Sequence, residues 1–258
     1  MAIPEKVSNH IINLLFKSVR KKLEKYKPET AHMPFHFKLL GRDRYAMFSF
    51  IQSINTSFGG IWEQIAVILA NNAGFFAKRQ YLLLGKIDHQ TQNVIQNIHE
   101  RLRRGEMVAN KKQEIELIRQ SIKKGRPKKD PDSYVDLYVK RQNEENYFDI
   151  TSAKPNKKEF ASLKLKLLKW TALRLSQKKS ANVVTRLAIP YNPYYPKPYQ
   201  RWTLEGLYDL QRGEILIDAD FWNFVANDDV YNELLEIFEI AGNTLRKEID
   251  EKFEKFAL

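Results

Sequence analysis

The sequence of 258 residues contains no cysteine. A chain without cysteine can form no disulfide, no thiolate zinc site and no cysteine nucleophile. It has no run of 18 consecutive apolar residues, so no membrane-spanning helix is predicted. The first residues lead into a mixed polar stretch, and no signal peptide is expected. These absences favour a protein of the reducing cytoplasm.

Two further classes of site are missing from the sequence. No Walker A loop and no Rossmann glycine fingerprint occurs, so nucleotide hydrolysis has no visible basis. None of the five histidines pairs at a metal-binding spacing beyond a loose His32/His36 pair. We therefore assign the histidines no chemistry.

Positive charge is in clear excess, with a formal net charge of +12. Nucleic acid is the favoured partner because phosphates release counterions when Lys or Arg binds. A solubility surplus or an anionic membrane surface would also accommodate the charge. The densest basic tract is 101–129, with eleven Lys or Arg against three acidic residues. Its lysines, including Lys128 and Lys129, are candidates for DNA phosphate contacts, and a solvated helix face is the alternative.

The first half of the chain has helical periodicity. Apolar spacing predicts helices over 4–26, 44–57, 60–71, 88–104 and 110–124. Residues 27–37 are expected to form a loop. The adjacent Gly59 and Gly60 predict a break between the second and third helices. Asp88 is the expected cap of the fourth helix.

The second half predicts a sheet. Alternating runs at 134–139 and 147–152 predict a hairpin, with a longer loop at 141–146. A helix over 157–177 and a strand over 183–189 then predict a crossover onto the same sheet. A short strand at 213–217, a helix capped by Asp218 and a long C-terminal helix complete the chain.

We expect one α/β domain spanning 1–258. Its parts would be a mainly helical 1–130, a core with the catalytic hairpin at 131–218, and C-terminal helices at 219–258. No internal repeat and no convincing linker argues for a division.

Two aspartates occupy the predicted hairpin. Val135, Leu137 and Val139 alternate with Asp136, whereas Phe148 and Ile150 alternate with Asp149 and Thr151. If the apolar residues pack on one side, Asp136 and Asp149 meet on the other. Two facing carboxylates suit Mg²⁺, which takes hard oxygen ligands and keeps several waters.

This pattern is similar to the PD-(D/E)xK nuclease core, a central mixed β-sheet flanked by helices, here with additional N-terminal and C-terminal helices. That core has an aspartate on one strand and an acid-x-Lys on the next. An ordinary solvent-facing hairpin with two exposed aspartates is the simpler alternative from the pattern alone. Glu63, among apolar helix residues, is a candidate for a further catalytic carboxylate and metal ligand, or a plain surface glutamate.

One residue departs from the motif. Thr151 stands two positions after Asp149, where the motif has lysine. We expect Lys154 to supply the cation from a shifted position, with Lys157 as a weaker substitute. A bulge could instead turn Ser152 and Lys154 toward the metal.

Several stretches together resemble the TdeIII-type family of type II restriction endonucleases. They are Phe35–Tyr45, Phe148–Asn156, Ile189–Tyr194 and Pro196–Thr203, of which Ala-Lys-Pro-Asn and Ile-Pro-Tyr-Asn-Pro are the most distinctive. The resemblance implies magnesium-dependent cleavage of double-stranded DNA at a short palindrome, for which GGNCC is the candidate sequence. It also implies a homodimer, because a two-fold site is naturally read by a two-fold protein.

The segment 190–202 is a candidate for sequence reading. Four prolines stiffen it, and it carries Asn192, Lys197, Gln200 and Arg201, whose side chains suit base edges. A tyrosine-and-proline wrap around the core is the alternative.

For the whole protein, two other functions stay open: a repair or junction nuclease with the same core, and a non-catalytic DNA-binding protein in which Thr151 marks a lost lysine.

Overall fold

The structure is a computed structural model that describes residues 2–27, 33–122, 133–200, 204 and 206–257, with side chains through 254. The chain divides into two compact units, Met1–Ile68 with Asp229–Leu258, and Leu69–Asp228. The expectation of a single domain stays a prediction. Three of the predicted DNA contacts, Lys128, Lys129 and Arg201, lie outside the described residues.

The first unit is built from α1 (Glu5–Lys25), most of α2 (Pro34–Asn72) and α7 (Tyr231–Ala257). Helix α1 packs against α7, and Arg20 of α1 makes a forked ion pair with Glu248 of α7 at 2.7–3.2 Å. A small core of Leu23, Ala46, Phe50 and Phe253 joins the three helices. Among the described residues, no helix combines the length and apolarity that a bilayer crossing requires.

The break within α2 does not lie where the sequence predicts it. The helix continues through Gly59 and Gly60, and Phe58 stacks on Trp62 across them with ring centroids 4.9 Å apart. The non-helical residue is Gly41, at φ 77° and ψ 172°. A helical glycine costs only about 1 kcal/mol, which packing of neighbouring side chains offsets. The expectation of two helices separated at Gly59 is therefore wrong.

The second unit holds a five-stranded mixed sheet flanked by helices. Its elements are β1 (Phe76–Leu82), α3 (His89–Arg104), α4 (Lys111–Ser121), β2 (Tyr134–Arg141), β3 (Glu144–Ile150), α5 (Lys157–Gln177), β4 (Asn182–Ile189), β5 (Ile215–Ile217) and α6 (Ala219–Ala226). The strands lie in chain order; β1, β2 and β3 are antiparallel, whereas β3, β4 and β5 are parallel. The predicted α/β class and the crossover through α5 are confirmed.

The hairpin turn is shorter than predicted. Strands β2 and β3 pair up to Arg141↔Glu144, which leaves a two-residue turn in which Gln142 takes a positive φ of 52°. The charged residues assigned to a loop extend the ladder instead, because Lys140 lies opposite Glu145 and Arg141 opposite Glu144. Glu144 forms an ion pair with Arg186 of β4, and Glu145 forms one with Arg174 of α5.

Strand β1 was not predicted. Only Phe76, Ala77, Tyr81 and Leu82 are apolar in it, and Lys78, Arg79 and Gln80 interrupt the alternation. The strand lies at the sheet edge, where polar side chains are common. Pairing with β2 therefore decides its structure more than its own sequence does.

Three helices of this unit begin with a side-chain cap. Asp88, Asn110 and Asn156 each accept a hydrogen bond from a backbone N–H in the first turn, and Asn156 forms a capping box with Glu159. Asp218 stands before α6 as predicted, but its side chain makes no capping bond. Its backbone has a φ of 60°, which differs from the extended conformation of a capping residue.

A buried group of charges joins α4, α5, β4 and the residue before β5. The ammonium of Lys164 lies 2.7–3.0 Å from the carboxylate oxygens of both Glu114 and Glu214. The ammonium of Lys111 contacts Glu214 at 2.8 Å and Thr185 at 2.6 Å. Two lysines thus balance two glutamates, as buried charges require.

Candidate active site

The hairpin brings Asp136 and Asp149 together at the end of the β2–β3 ladder. The last pair of the ladder is Leu137 with Phe148, and Asp136 and Asp149 are the next residues of their two strands. The carboxylate of Asp136 accepts a hydrogen bond of 2.9 Å from the backbone N–H of Ile150. This bond fixes the Asp136 carboxylate against β3.

The two faces of β3 are occupied as the alternation predicts. Phe148 packs on Phe221 and Phe224 of α6, with ring centroids 5.7 and 5.6 Å apart. Asp149 faces α5 on the opposite side, where its side chain is 6% exposed. Strand β3 ends at Ile150, so the alternative register, with Ser152 and Lys154 on the strand, is not adopted.

The cation beside Asp149 comes from α5. Lys166 Nζ lies 2.5 Å from Asp149 Oδ2 and 4.9 Å from the centroid of the Trp170 ring. The side chain of Lys166 is 26% exposed, so the pair is open to solvent on one side. Lys166 was not predicted from the sequence, because nothing in the sequence near the hairpin marks it.

Helix α5 runs antiparallel to β3 and is held over it by two ion pairs. Besides Lys166 with Asp149, Arg174 makes a forked pair with Glu145 at 2.5 and 2.8 Å. Eight helix residues rise about 12 Å and four strand residues about 13 Å. The two spacings therefore match, and both pairs can form on one straight helix.

Electrostatics on this face favour a charged Glu145. Burial alone would raise the pKa of Glu145, but hydrogen bonds from Arg174 and Tyr147 outweigh burial and lower it. The same contact raises the pKa of Arg174. Burial, with the nearby charge of Glu145, raises the pKa of Tyr138 to about 12. The face beyond the aspartates thus carries a fixed ion pair and neutral tyrosines at neutral pH.

The structure places Lys154 elsewhere. Its ammonium lies over the ring of Tyr194, 5.1 Å from the centroid, and its side chain is exposed. Lys157 is the exposed first residue of α5. Strand β3 ends before Lys154. Its assignment as the catalytic cation stays a prediction.

Glu63 lies on α2 in the first unit and is buried, with 8% of its surface exposed. Its assignment as a further catalytic carboxylate and metal ligand stays a prediction.

The predicted reading segment is tied to the end of β3. The hydroxyl of Tyr199 donates to the carbonyl oxygen of Ala153 at 2.9 Å. Within the segment, the Asn192 amide donates to the Lys197 carbonyl and accepts from the Tyr194 N–H. The Asn192 amide therefore closes the loop, whereas the side chains of Lys197 and Gln200 are exposed.

The donor chemistry of the aspartate pair fits magnesium. Two carboxylates on adjacent strands supply hard oxygen ligands, and Mg²⁺ completes its shell with water and a phosphate oxygen. No group of three His, Asp or Glu side chains suited to a metal occurs within the part of the chain that the structure describes. The fit therefore rests on Asp136 and Asp149 alone.

Two carboxylates beside an ammonium, at a sheet end in a strongly basic chain, define a candidate centre for phosphate-ester chemistry. The sequence model of type II restriction endonuclease HinfI matches residues 2–242. The chain therefore belongs to the HinfI family of type II restriction endonucleases. The class indicated by the sequence resemblance is confirmed, although that resemblance pointed to the TdeIII-type family.

Three curated relatives come from Herpetosiphon aurantiacus. The chain is 25% identical to type II restriction enzyme HgiCII over 85% of this chain and 81% of that protein. It is 26% identical to type II restriction enzymes HgiBI and HgiEI, over 85% of this chain and 80% of each relative. No solved structure matches.

Proposed function

We propose that this protein is a magnesium-dependent type II restriction endonuclease with a PD-(D/E)xK core, in which Asp136 and Asp149 bind the metal. The observation that carries the proposal is the Asp136 carboxylate bonded to the N–H of Ile150, the neighbour of Asp149, just beyond the last ladder pair. Family membership makes double-stranded DNA the substrate to expect.

The order of elements supports the core assignment. Three antiparallel strands, β1 to β3, are followed by α5 and the parallel strand β4. The first aspartate lies on the second of these strands and the second aspartate on the third. The PD-(D/E)xK pattern has the same arrangement, except that Thr151 stands in the lysine position.

Each protein group has a definite task in the proposed hydrolysis. When bound, magnesium would supply Lewis-acid polarisation of the scissile phosphate and neutralise charge in the transition state. Asp136, fixed by the Ile150 N–H, and Asp149 would orient that ion and the phosphate. Water forms one P–O bond as another breaks. The proton that the water loses is matched by the one that the leaving sugar oxygen takes up.

DNA recognition is assigned to the segment next to the site. Tyr199 anchors this segment to the chain after β3, and Lys197 and Gln200 are exposed on it. We propose that these side chains and Arg201 contact base edges, and that Lys128 and Lys129 contact phosphates. A homodimer would present two such segments to a palindrome, of which GGNCC is the first to test.

The test compares Asp136→Asn and Asp149→Asn with Asp220→Asn, a change at an exposed aspartate of α6. Wild-type protein should cut phage DNA into discrete bands with Mg²⁺ and leave it intact with EDTA. Each active-site variant should lose about 100-fold or more in rate, because a metal ligand charge is removed. The Asp220→Asn variant should cut like wild type.

Three results would contradict the proposal. Undiminished cutting by Asp136→Asn would remove that residue from the metal site. Tight DNA binding by the wild-type protein without any magnesium-dependent cutting would favour a non-catalytic DNA-binding protein. Cutting of branched DNA without sequence preference would instead indicate a junction nuclease.

A further inference from the structure

We propose that Lys166 of α5 is the catalytic lysine of this site and replaces the lysine that is missing at Thr151. The inference rests on the proposed nuclease function, because it assigns the cation of that same centre. It moves the lysine from the strand, where the sequence motif has it, to the helix that crosses over the sheet.

The contact itself is direct. Lys166 Nζ donates to Asp149 Oδ2 at 2.5 Å, and the same ammonium lies 4.9 Å from the centre of the Trp170 ring. Asp149 is almost fully buried, whereas Lys166 keeps about a quarter of its side chain exposed. The ammonium thus sits between the buried carboxylate and the solvent from which water and a phosphate would approach.

The lysine expected from the sequence, Lys154, is engaged elsewhere. Lys154 lies over Tyr194, and Lys157 is an exposed residue at the start of α5. Thr151 follows the strand, and its backbone N–H donates to the carbonyl of Ala188. The structure therefore supplies a cation to Asp149 from α5.

Lys166 is held in register by contacts at both ends of α5. The capping box of Asn156 and Glu159 fixes the start of the helix. The forked pair of Arg174 with Glu145 fixes it eight residues beyond Lys166. Such anchoring preorganises the ammonium, which is how electrostatic catalysis avoids reorganisation during the reaction.

The ammonium would act as a fixed positive charge. In this role an N–H of the ammonium would donate to the attacking water or to a phosphate oxygen, on which negative charge grows as the new P–O bond forms. No proton needs to leave the lysine in this role. A lysine that merely tied α5 to β3 would affect folding and leave the chemical step unchanged.

Arg174→Met provides the matched control for Lys166→Met. It removes the other ion pair between the same helix and strand, about 12 Å along α5 from the candidate site. Three quantities would be measured on the full chain: single-turnover cleavage rate with Mg²⁺, DNA affinity with Ca²⁺, and the melting temperature. DNA affinity and melting temperature do not depend on turnover.

Lys166→Met is expected to cleave about 100-fold more slowly than Arg174→Met. Its DNA affinity with Ca²⁺ should stay within about threefold of wild type. A cleavage rate within about threefold of the Arg174→Met rate would overturn the proposal. A loss found in Lys154→Met but absent from Lys166→Met would return the role to Lys154 and also overturn it.

The absence of cysteine allows a second test. Lys166→Cys would be the single thiol of the chain. Its thiolate displaces bromide from 2-bromoethylamine, and the resulting thioether carries an ammonium at nearly the length of lysine. The protein would be alkylated before refolding and checked by mass spectrometry. Its cleavage rate should then be at least tenfold higher than that of unmodified Lys166→Cys. Two results together would refute the requirement for a positive charge at this position. Fully alkylated, folded Lys166→Cys would show no recovery of cleavage, and Lys166→Arg would cleave as slowly as Lys166→Met.

The two proposals fail in different ways. If wild-type protein never cuts DNA with Mg²⁺, the nuclease proposal fails and the lysine assignment falls with it. If wild type cuts, Asp136→Asn does not, and Lys166→Met matches Arg174→Met, only the lysine assignment is wrong.

Discussion

Removing the ammonium of Lys164 should destabilise the second unit strongly. This buried group bonds both Glu114 and Glu214, with four N–O distances of 2.7–3.0 Å. In Lys164→Met the pair of Lys111 and Glu214 remains neutral together, but Glu114 is left buried without its cation. Breaking a buried ion pair on one side costs about 3–5 kcal/mol. For a unit of this size that corresponds to a fall in Tm of roughly 10 °C.

The loss should depend on pH in a stated direction. Burial already raises the pKa of Glu114, against the opposing effect of Lys164. Without that ammonium the pKa rises further, so the folded variant takes up a proton at a pH where the unfolded chain, with a glutamate pKa of about 4.3, does not. Proton uptake by the folded state stabilises it as pH falls. The deficit of Lys164→Met should therefore shrink from pH 8 to pH 5.

Urea unfolding followed by circular dichroism would measure the deficit. Lys158→Met, a change at an exposed lysine of the same helix, should stay within about 0.5 kcal/mol of wild type. Adding Glu114→Gln to Lys164→Met should recover about 1–3 kcal/mol, because the uncompensated charge is removed. A deficit of Lys164→Met below about 1 kcal/mol, or one that stays constant with pH, would refute the reasoning.

Two further predictions concern contacts of α5. A Cβ at Gly85 would lie 1.8 Å from the Leu173 carbonyl oxygen, so Gly85→Ala should lower stability by about 1–3 kcal/mol in urea unfolding. Gly59→Ala, which meets nothing within 4 Å, should raise it by roughly 0.5–1 kcal/mol, and equal effects would contradict the packing argument. Glu145→Gln should cost about 1–2 kcal/mol at pH 7 through weaker bonds from Arg174 and Tyr147. Because the folded-state pKa of Glu145 is lowered, this contribution is present above the unfolded pKa of about 4.3 and is lost as pH falls through the folded pKa. The urea midpoints of variant and wild type should therefore converge below pH 4, and a constant gap would contradict the assignment.

The elements that the sequence predicted well carry their information locally. Helix α5 begins at Lys157 and ends at Gln177, as predicted. Its start is marked in the sequence because Asn156 and Glu159 form a capping box before an apolar run. The hairpin aspartates alternate with residues such as Phe148 that need burial, so the faces follow from the period of two. In each case neighbours in the chain determine the structure.

The elements that the sequence predicted poorly depend on distant partners. Strand β1 has Lys78 and Arg79 in its middle and forms because β2 offers an edge to pair with. The doubled glycine at Gly59 remains helical because Phe58 and Trp62 stack across it, and Trp62 also packs against Phe238 of α7. Local propensity is a weak prior that such contacts override.

The lysine beside Asp149 is the sharpest case of this dependence. A motif on one strand fixes a separation along the chain, and it therefore favours Lys154, which is near Asp149 in sequence. Lys166 follows Asp149 by 17 residues, and it reaches that carboxylate only when α5 folds back antiparallel over β3. The signal that could have found it is the parallel spacing of two charge pairs, since Lys166 and Arg174 are eight apart on a helix while Asp149 and Glu145 are four apart on a strand. The two separations can be recognised as equal in ångströms only when both elements and their antiparallel crossing are known. The contact of Lys166 with Asp149 therefore follows from the fold and not from the sequence motif.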